Sequence, residues 1–464
     1  MTISGKALSA LKKIVGPHNF TKEIEECACY SYDATAQHFL PDAVVFPQTS
    51  HEISKILSLA SKNNFYVIPR GSGSGMTGGS LPVKGGVVLV LTRMNRILEI
   101  DCDNLIAVAE PGVITSHFHK AVENKGLFYP PDPSSSDFST LGGNLAECAG
   151  GPRAVKYGVT RDYVLGLQAV LPNGDIIKTG VKTAKGVVGY DLTRLLVGSE
   201  GTLGVITQMT LRLLPRPEFI GTMTAVFESM DTGAETVSEI MRQKIIPRTV
   251  EFMDNASINC TEDYLHMGLP RDAGALLLLE VDGNKDQVRS DIELLKNLCL
   301  LKGAKNVNIA KSDLERADLW KARKAISPAL FRLAPDKINE DIVVPKNKIP
   351  HMVRKIKEVS DETGLLIASF GHAGDGNIHV NIMLDKKDSE QVRNAETALE
   401  LLFDYTLDLG GTISGEHGIG ITKAPFITKE IGKAEIALMK NIKTAFDPKG
   451  ILNPGKMFTS APTA

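Results

Sequence analysis

The segment PRGSGSGMTGGS, residues 69–80, carries five glycines between Gly71 and Gly79. No helix or strand interior tolerates such density, because glycine gives up more backbone freedom on ordering than any other residue. Gly73, Gly75 and Gly78 satisfy the spacing GxGxxG. In a Rossmann unit that loop leaves a strand and opens a helix whose N-terminus meets a pyrophosphate. Here FYVIPRG supplies the strand, but LPVKGGVVLVL follows, where Pro82 and Gly85-Gly86 preclude a helix and a second strand begins. The Rossmann reading fails on context. What remains is bare backbone between strands, either a surface loop or a cradle of amides for a polyanion.

Two further stretches favour the cradle. YPPDPSSSDFSTLGGNLAECAGGPRAVKYG, residues 129–158, has a serine cluster and two Gly-Gly pairs, and GSEGTLGVIT follows at 198–207. Three glycine-dense loops in one β-rich region predict a long polar ligand held by backbone along its length.

At 464 residues the chain is too long for one ordinary core, so two domains are expected. A formal net charge of −2 provides no field that would recruit nucleic acid or an anionic membrane. Cys27, Cys29, Cys102, Cys148, Cys260 and Cys299 are scattered without a CxxC, which argues against a zinc ribbon or an iron–sulfur cluster and suits a reducing cytoplasm. The first twenty residues place Leu8, Leu11 and Val15 at helical spacing and lack the apolar stretch of a signal peptide. No apolar run approaches a membrane span.

The chain divides by pattern into a helical segment at 1–40, a strand-and-turn region at 41–217, a helix-rich region at 218–440 and a turn-rich tail at 441–464. In the second region, TSHEISKILSLASKNN predicts a helix burying Ile53, Ile56, Leu57 and Ala60, capped by Thr49 or Ser50. VLGLQAVLPNGDII predicts two strands about a Pro-Asn-Gly turn. LLPRPE closes the region. Beyond it, helical periodicity runs over 233–243, 287–302, 313–333, 348–363 and 387–409.

FGHAGDGNIHVN, residues 370–381, places His372 and His379 around a glycine turn that folds one back toward the other. In GGTISGEHGIG, Glu416 and His417 are adjacent between Gly415 and Gly418, and such a loop frees both to line one cavity. Two histidines and a carboxylate suit zinc, iron or manganese with positions left open, although neighbouring core histidines would give the same pattern. His117 and His119 lie two apart in a helix, share no face and read as structural. Trp320 reads as core.

The quoted loops, together with GHAGDGNIHVN and GGTISGEHGIG, resemble the FAD-linked 2-hydroxyacid dehydrogenases of the vanillyl-alcohol-oxidase superfamily, over residues 40–458. This family includes D-lactate and D-2-hydroxyglutarate dehydrogenases and the flavin subunit of glycolate oxidase. The resemblance implies an α+β protein, with a two-part FAD-binding domain of the vanillyl-alcohol-oxidase type and an α/β substrate (cap) domain. It places FAD against Pro69, Arg70, Gly71, Ser72, Gly73, Ser74, Gly75, Met76, Thr77, Gly78 and Gly79 in the first loop. Pro133, Ser134, Ser135, Thr140, Gly142, Gly143, Asn144, Gly150 and Gly151 follow in the second, then Gly201, Gly204, Val205 and Ile206 in the third, and Asn453 in the tail. It implies a divalent metal on His372, His379 and Glu416, with His417 as the base.

By the same resemblance Arg323 clamps the substrate carboxylate and Asn381 contacts the substrate. Some relatives use a substrate-binding lysine where offset from Asp341 gives Asn339, with Lys337 two residues earlier. That departure favours a small acid, D-lactate ahead of glycolate, over a dicarboxylate. The chemistry fits the grouping: a metal chelated by hydroxyl and carboxylate lowers the hydroxyl pKa, a histidine takes the proton and flavin takes the hydride. No histidine falls within 70–80, so FAD is expected to be non-covalent. Electrons are then expected to leave to a separate protein, an electron-transfer flavoprotein or an iron–sulfur subunit. Two other classes stay open on residues alone: a metal hydrolase, which leaves the glycine loops unexplained, and a non-catalytic electron relay, which leaves His417 unexplained.

Overall fold

The computed structural model describes residues 3–458. The chain separates into two compact units: Met1–Gly150, Val159–Arg216 and Glu416–Ala464 form the first, and Gly151–Gly158 with Pro217–Gly415 the second. The ends of the first and last sequence segments, residues 1–2 and 459–464, lie outside the described residues. These edges differ from the pattern-based ones: residues 416–440 join the first unit, and 151–158 the second. The cause of the latter is Asp282 of the second unit, which receives the Lys156 ammonium and the Tyr157 hydroxyl, the latter at 2.8 Å.

In the first unit, strands Phe20–Thr21, Ala43–Val45, Val87–Val90 and Val67–Arg70 make a four-stranded sheet in that order. Its last three strands pair in parallel, and Val87–Val90 is buried throughout, as a central parallel strand with both faces covered should be. The Ser50–Asn63 helix packs over it through Ile53, Ile56, Leu57 and Ala60, the face expected from periodicity. Thr49 caps its start by accepting from the Glu52 amide, and Asn64 ends it in the left-handed region. Burying each of the larger side chains contributes roughly 1.5–3 kcal/mol. The Gly5–Val15 helix adds Ala7, Leu11 and Val15 to the same core.

A five-stranded antiparallel sheet runs Ile97–Asp101, Ile106–Ala109, Val205–Arg212, Val164–Val170 and Ile176–Gly180. Ile451 and Leu452 of the tail enter the core with Val67, Val87, Val170 and Val205, so chain end, helices and both sheets share one interior.

The second unit is built on a seven-stranded antiparallel sheet, ordered Asn306–Ile309, Phe219–Phe227, Ala275–Gly283, Thr249–Asp254, Ile367–His372, Asn377–Leu384 and Asp336–Val343. Register places Glu251 opposite His372, His379 opposite both Phe370 and Asp341, and Asn381 opposite both Ala368 and Asn339. Residues directly opposite share a face, so these side chains emerge on one side of the sheet. Helices Asp313–Ala329 and Asn255–Leu265 cover that side, Ile326, Ala329 and Ile258 packing with Met253, Ala368 and Phe370. The other expected helices form at Met230–Ile240, Lys285–Leu301, Ile349–Thr363 and Ser389–Asp408. Among the described residues no helix is long and apolar enough to cross a membrane.

Candidate active site

In the first unit the glycine loops close on one another because they lack side chains. A Cβ on Gly71 would lie 2.3 Å from Thr140 Oγ1 of the second loop, and one on Gly150 would lie 2.9 Å from Glu416 Oε2. Gly201, at φ +65°, sits 3.4 Å from Pro69 by the same measure. Asn453 ties the set together: its amide nitrogen donates to Gly79 O at 2.8 Å and to Glu200 O at 2.7 Å. No helix opens at the first loop; the next regular element is the parallel strand Val87–Val90. The result is a backbone-lined cradle of small residues, the setting a dinucleotide diphosphate requires.

Several of the residues expected against the cofactor also make contacts within the protein. Arg70 is buried, its Nη2 donating to Tyr32 O at 2.7 Å and its Nη1 to Ser80 Oγ at 3.2 Å, so its guanidinium braces its own loop. Asn144 donates to Thr115 Oγ1 at 2.8 Å, and Thr140 caps the Leu141–Glu147 helix by accepting from Gly143 N. Gly142 packs on Pro111, and Gly204 on Leu196 and Val170. Val205 and Ile206 begin a buried strand, Ser134 is exposed, and Gly151 belongs with the second unit.

The loop carrying His417 is fixed to this cradle. Thr77 Oγ1 donates to His417 O at 3.1 Å, and Ile421 N donates to Thr77 O at 2.7 Å. Glu200, within GSEGTLG, accepts from Ile419 N at 2.8 Å and Gly420 N at 2.7 Å through its two carboxylate oxygens. Burial raises its pKa against those amides, and burial followed by the Glu200 charge pushes Glu147 well above the usual carboxylate range. Gly418 sits at φ +80°, where an L-residue is strained, and a Cβ there would displace the carboxylates of Glu147 and Glu200, whose Oε2 and Oε1 lie 2.3 and 3.0 Å from it. Sequence reading missed Glu200; a carboxylate flanked by glycines was the available signal.

In the second unit, the strands Ile367–His372 and Asn377–Leu384 flank the glycine turn as a hairpin. His372 and His379, 2% and 6% exposed, point Nε2 at Nε2 across 3.4 Å. Two metal–nitrogen bonds of ~2.1 Å at a tetrahedral angle also span about 3.4 Å, so the pair has the spacing of two ligands to one ion. Glu251 accepts from His372 Nδ1 at 2.6 Å. A carboxylate only accepts, so Nδ1 carries the proton, and in the neutral imidazole Nε2 then keeps its lone pair for a metal. Glu416 is the residue after Gly415, whose amide donates to Asp341 Oδ1 at 2.6 Å, and Asp341 stands opposite His379 in the sheet.

Arg323 comes from the covering helix and is 5% exposed. Its Nε lies 2.7 Å and its Nη2 2.6 Å from Glu251 Oε2, and the guanidinium carbon stands 4.8 Å from the Phe370 ring centroid. Asn339 donates to Asn381 Oδ1 at 2.6 Å, joining the two expected substrate contacts to each other. Asn339 Oδ1 is buried without a hydrogen-bond partner among the described residues. Lys337, on the same strand face, donates to Ser327 O at 2.9 Å and Ser327 Oγ at 2.7 Å. Burial lowers its pKa to about 8. Trp320, half-buried rather than core, donates to Glu280 at 2.8 Å, and His119 lies 2.8 Å from Pro131 O.

Two family models match the chain: an FAD binding domain over residues 41–180, and the C-terminal domain of FAD linked oxidases over 216–457. The glycolate oxidase subunit GlcD of Bacillus subtilis is 48% identical over 97% of this chain and 96% of that protein. GlcD of Escherichia coli K12 is 37% identical over 97% and 90%, and a D-lactate dehydrogenase of Anaerostipes hadrus is 36% identical over 90% and 89%. In fold the chain is similar to p-cresol methylhydroxylase, with a TM-score of 0.79 at 16% identity over 100% of this chain and 99% of that one. Loops that no hydrolase would need are thereby explained, and the chain belongs to the FAD-linked oxidases, with an FAD-binding domain of the vanillyl-alcohol-oxidase type.

Proposed function

We propose that this protein oxidises a small D-2-hydroxy acid, D-lactate ahead of glycolate, to the 2-oxo acid, using FAD and a divalent metal on His372, His379 and Glu416. The observation that carries the reading is the buried Nε2–Nε2 pair at 3.4 Å, with His372 Nδ1 held by Glu251. Relatives named glycolate oxidase subunit and D-lactate dehydrogenase support the substrate class.

Each residue has a task. Arg323 pairs with the substrate carboxylate, its plane set by Phe370 and Glu251. His417 accepts the hydroxyl proton on its imidazole, its backbone pinned by Thr77 so that the ring keeps its place. Asn381, joined to Asn339, positions the substrate. Lys337 is occupied by Ser327, which supports a substrate with one carboxylate. When bound, the metal supplies Lewis acidity to the hydroxyl and the flavin supplies the acceptor for two electrons. The glycine loops hold the flavin, braced by Asn453 and Glu200.

Electrons then pass to a separate protein, an electron-transfer flavoprotein or an iron–sulfur subunit. Relatives named as subunits support this, and six free cysteines suit a reducing cytoplasm. The test is turnover of the isolated FAD-loaded chain with D-lactate, first with NAD and then with an artificial dye. Dye reduction without NAD reduction is expected. Rapid reduction of NAD by the lone chain would defeat the partner proposal, and no reduction of dye by any small 2-hydroxy acid would defeat the activity.

A further inference from the structure

We propose that Glu251 is a positioning residue that couples the metal site to the substrate-carboxylate clamp, one carboxylate holding His372 and Arg323 together. The inference rests on the metal and substrate reading above and deepens it: that reading uses the two contacts of Glu251 separately, and here they are coupled through one carboxylate.

Glu251 lies mid-strand in Thr249–Asp254 and is 1% exposed. A lone carboxylate that deep is costly unless every lone pair is used. Both oxygens are used, for different partners. Oε1 takes the His372 Nδ1 proton at 2.6 Å, and Oε2 accepts from Arg323 Nε at 2.7 Å and forms an ion pair with Nη2 at 2.6 Å. The first contact selects the tautomer whose Nε2 faces His379. The second, with Phe370 4.8 Å from the guanidinium carbon, commits the Nε and Nη2 edge of the group, so that a substrate carboxylate would be met by its Nη1 side. His372 stands directly opposite Glu251 in the sheet, so this arm is rigid. Arg323 comes from a helix 72 residues on, so that arm reaches the sheet through the side chain, held by Glu251 and by the Phe370 ring. A shift of the carboxylate disturbs both.

Glutamine is nearly the same shape but cannot serve both partners. An amide presents one acceptor and one donor, so either His372 N–H or the guanidinium edge faces a donor. Aspartate keeps the charge and is about one methylene too short to reach both. The experiment compares wild type, Glu251→Gln and Glu251→Asp, each loaded with FAD. Zn(II) affinity is read by competition with a chromophoric chelator, and KM and kcat for D-lactate are read at saturating Zn(II).

Glu251→Gln should bind Zn(II) about 10- to 100-fold more weakly, the usual cost of losing such a partner. Its KM should rise about tenfold or more while kcat at saturation falls much less. Aspartate should recover part of the Zn(II) affinity. Should the glutamine variant not fold, the aspartate variant, which keeps the buried charge paired, carries the same comparison. General misfolding would instead lower kcat at unchanged KM. Wild-type Zn(II) affinity in Glu251→Gln, or a loss of metal affinity with KM unmoved, overturns the coupling and leaves the functional reading standing. A wild-type chain that neither binds Zn(II) nor oxidises D-lactate overturns both.

Discussion

Gly376→Ala separates the geometry of the histidine hairpin from its mere presence. Gly376 sits in the turn at φ +91°, where a Cβ would lie 2.0 Å from Val344 O and 3.2 Å from Val344 C. The obstacle is backbone, so no side-chain rotation relieves it. An L-residue in this conformation costs about 1–3 kcal/mol. Moving the turn also breaks the bond from Val344 N to Gly376 O, 3.1 Å long, which contributes about 1 kcal/mol. Together these give a loss of about 2–4 kcal/mol. Gly364→Ala is the control: its φ is +67° and a Cβ there meets nothing within 4 Å, so only strain of about 1–2 kcal/mol applies. Urea unfolding measures both, with comparable slopes required for the comparison. Because the turn sets the His372–His379 separation, Gly376→Ala should also weaken Zn(II) binding by tenfold or more, about 1.4 kcal/mol, whereas Gly364→Ala should not. Equal stability losses with equal Zn(II) affinity would refute the claim that this turn sets the ligand spacing.

His417→Ala should keep FAD and metal and lose turnover by about 10² or more, as removal of a general base does; near-native turnover sinks its assignment. FAD should be released by acid denaturation, since residues 70–80 contain no histidine, and flavin remaining on the precipitated chain would refute this. Lys337 has its pKa lowered from 10.5 to about 8, so the unfolded chain binds more protons across that window and this position's contribution to stability rises with pH through it. Lys337→Met should therefore gain stability over wild type at pH 7, with the gain shrinking toward pH 10; a gain independent of pH contradicts the buried-charge account.

Local features were legible where one short segment contained the whole signal. Ile53, Ile56, Leu57 and Ala60 repeat at helical spacing behind Thr49, and that helix formed with that face and that cap. The turn between His372 and His379 is written in its glycines, and the hairpin followed. What stayed hidden depends on register between distant strands. TVEFMD reads as a strand with one incidental glutamate. Only pairing with a strand some 120 residues later puts Glu251 opposite His372. A charged residue alternating with the buried Val250 and Phe252 was a usable warning that its face is covered. The placement of 416–440 was hidden for a similar reason, because the partners of Ile419 and Gly420 are the carboxylate oxygens of Glu200, about 220 residues earlier. Arg70 and Asn144 carry the opposite lesson. Position in a motif marked them, whereas the bonds of their side chains, from Arg70 to Tyr32 O and from Asn144 to Thr115 Oγ1, appear only in the fold.

The most direct test of the central claim is anaerobic mixing of the FAD-loaded chain with D-lactate while the flavin's visible absorbance is followed, before chelation, after chelation, and after metal is returned. The account predicts bleaching in the metal-loaded protein, its loss after chelation with FAD still bound, and recovery when metal is restored. Bleaching at full rate in a chain verified to be metal-free would contradict the role given to His372, His379 and Glu416.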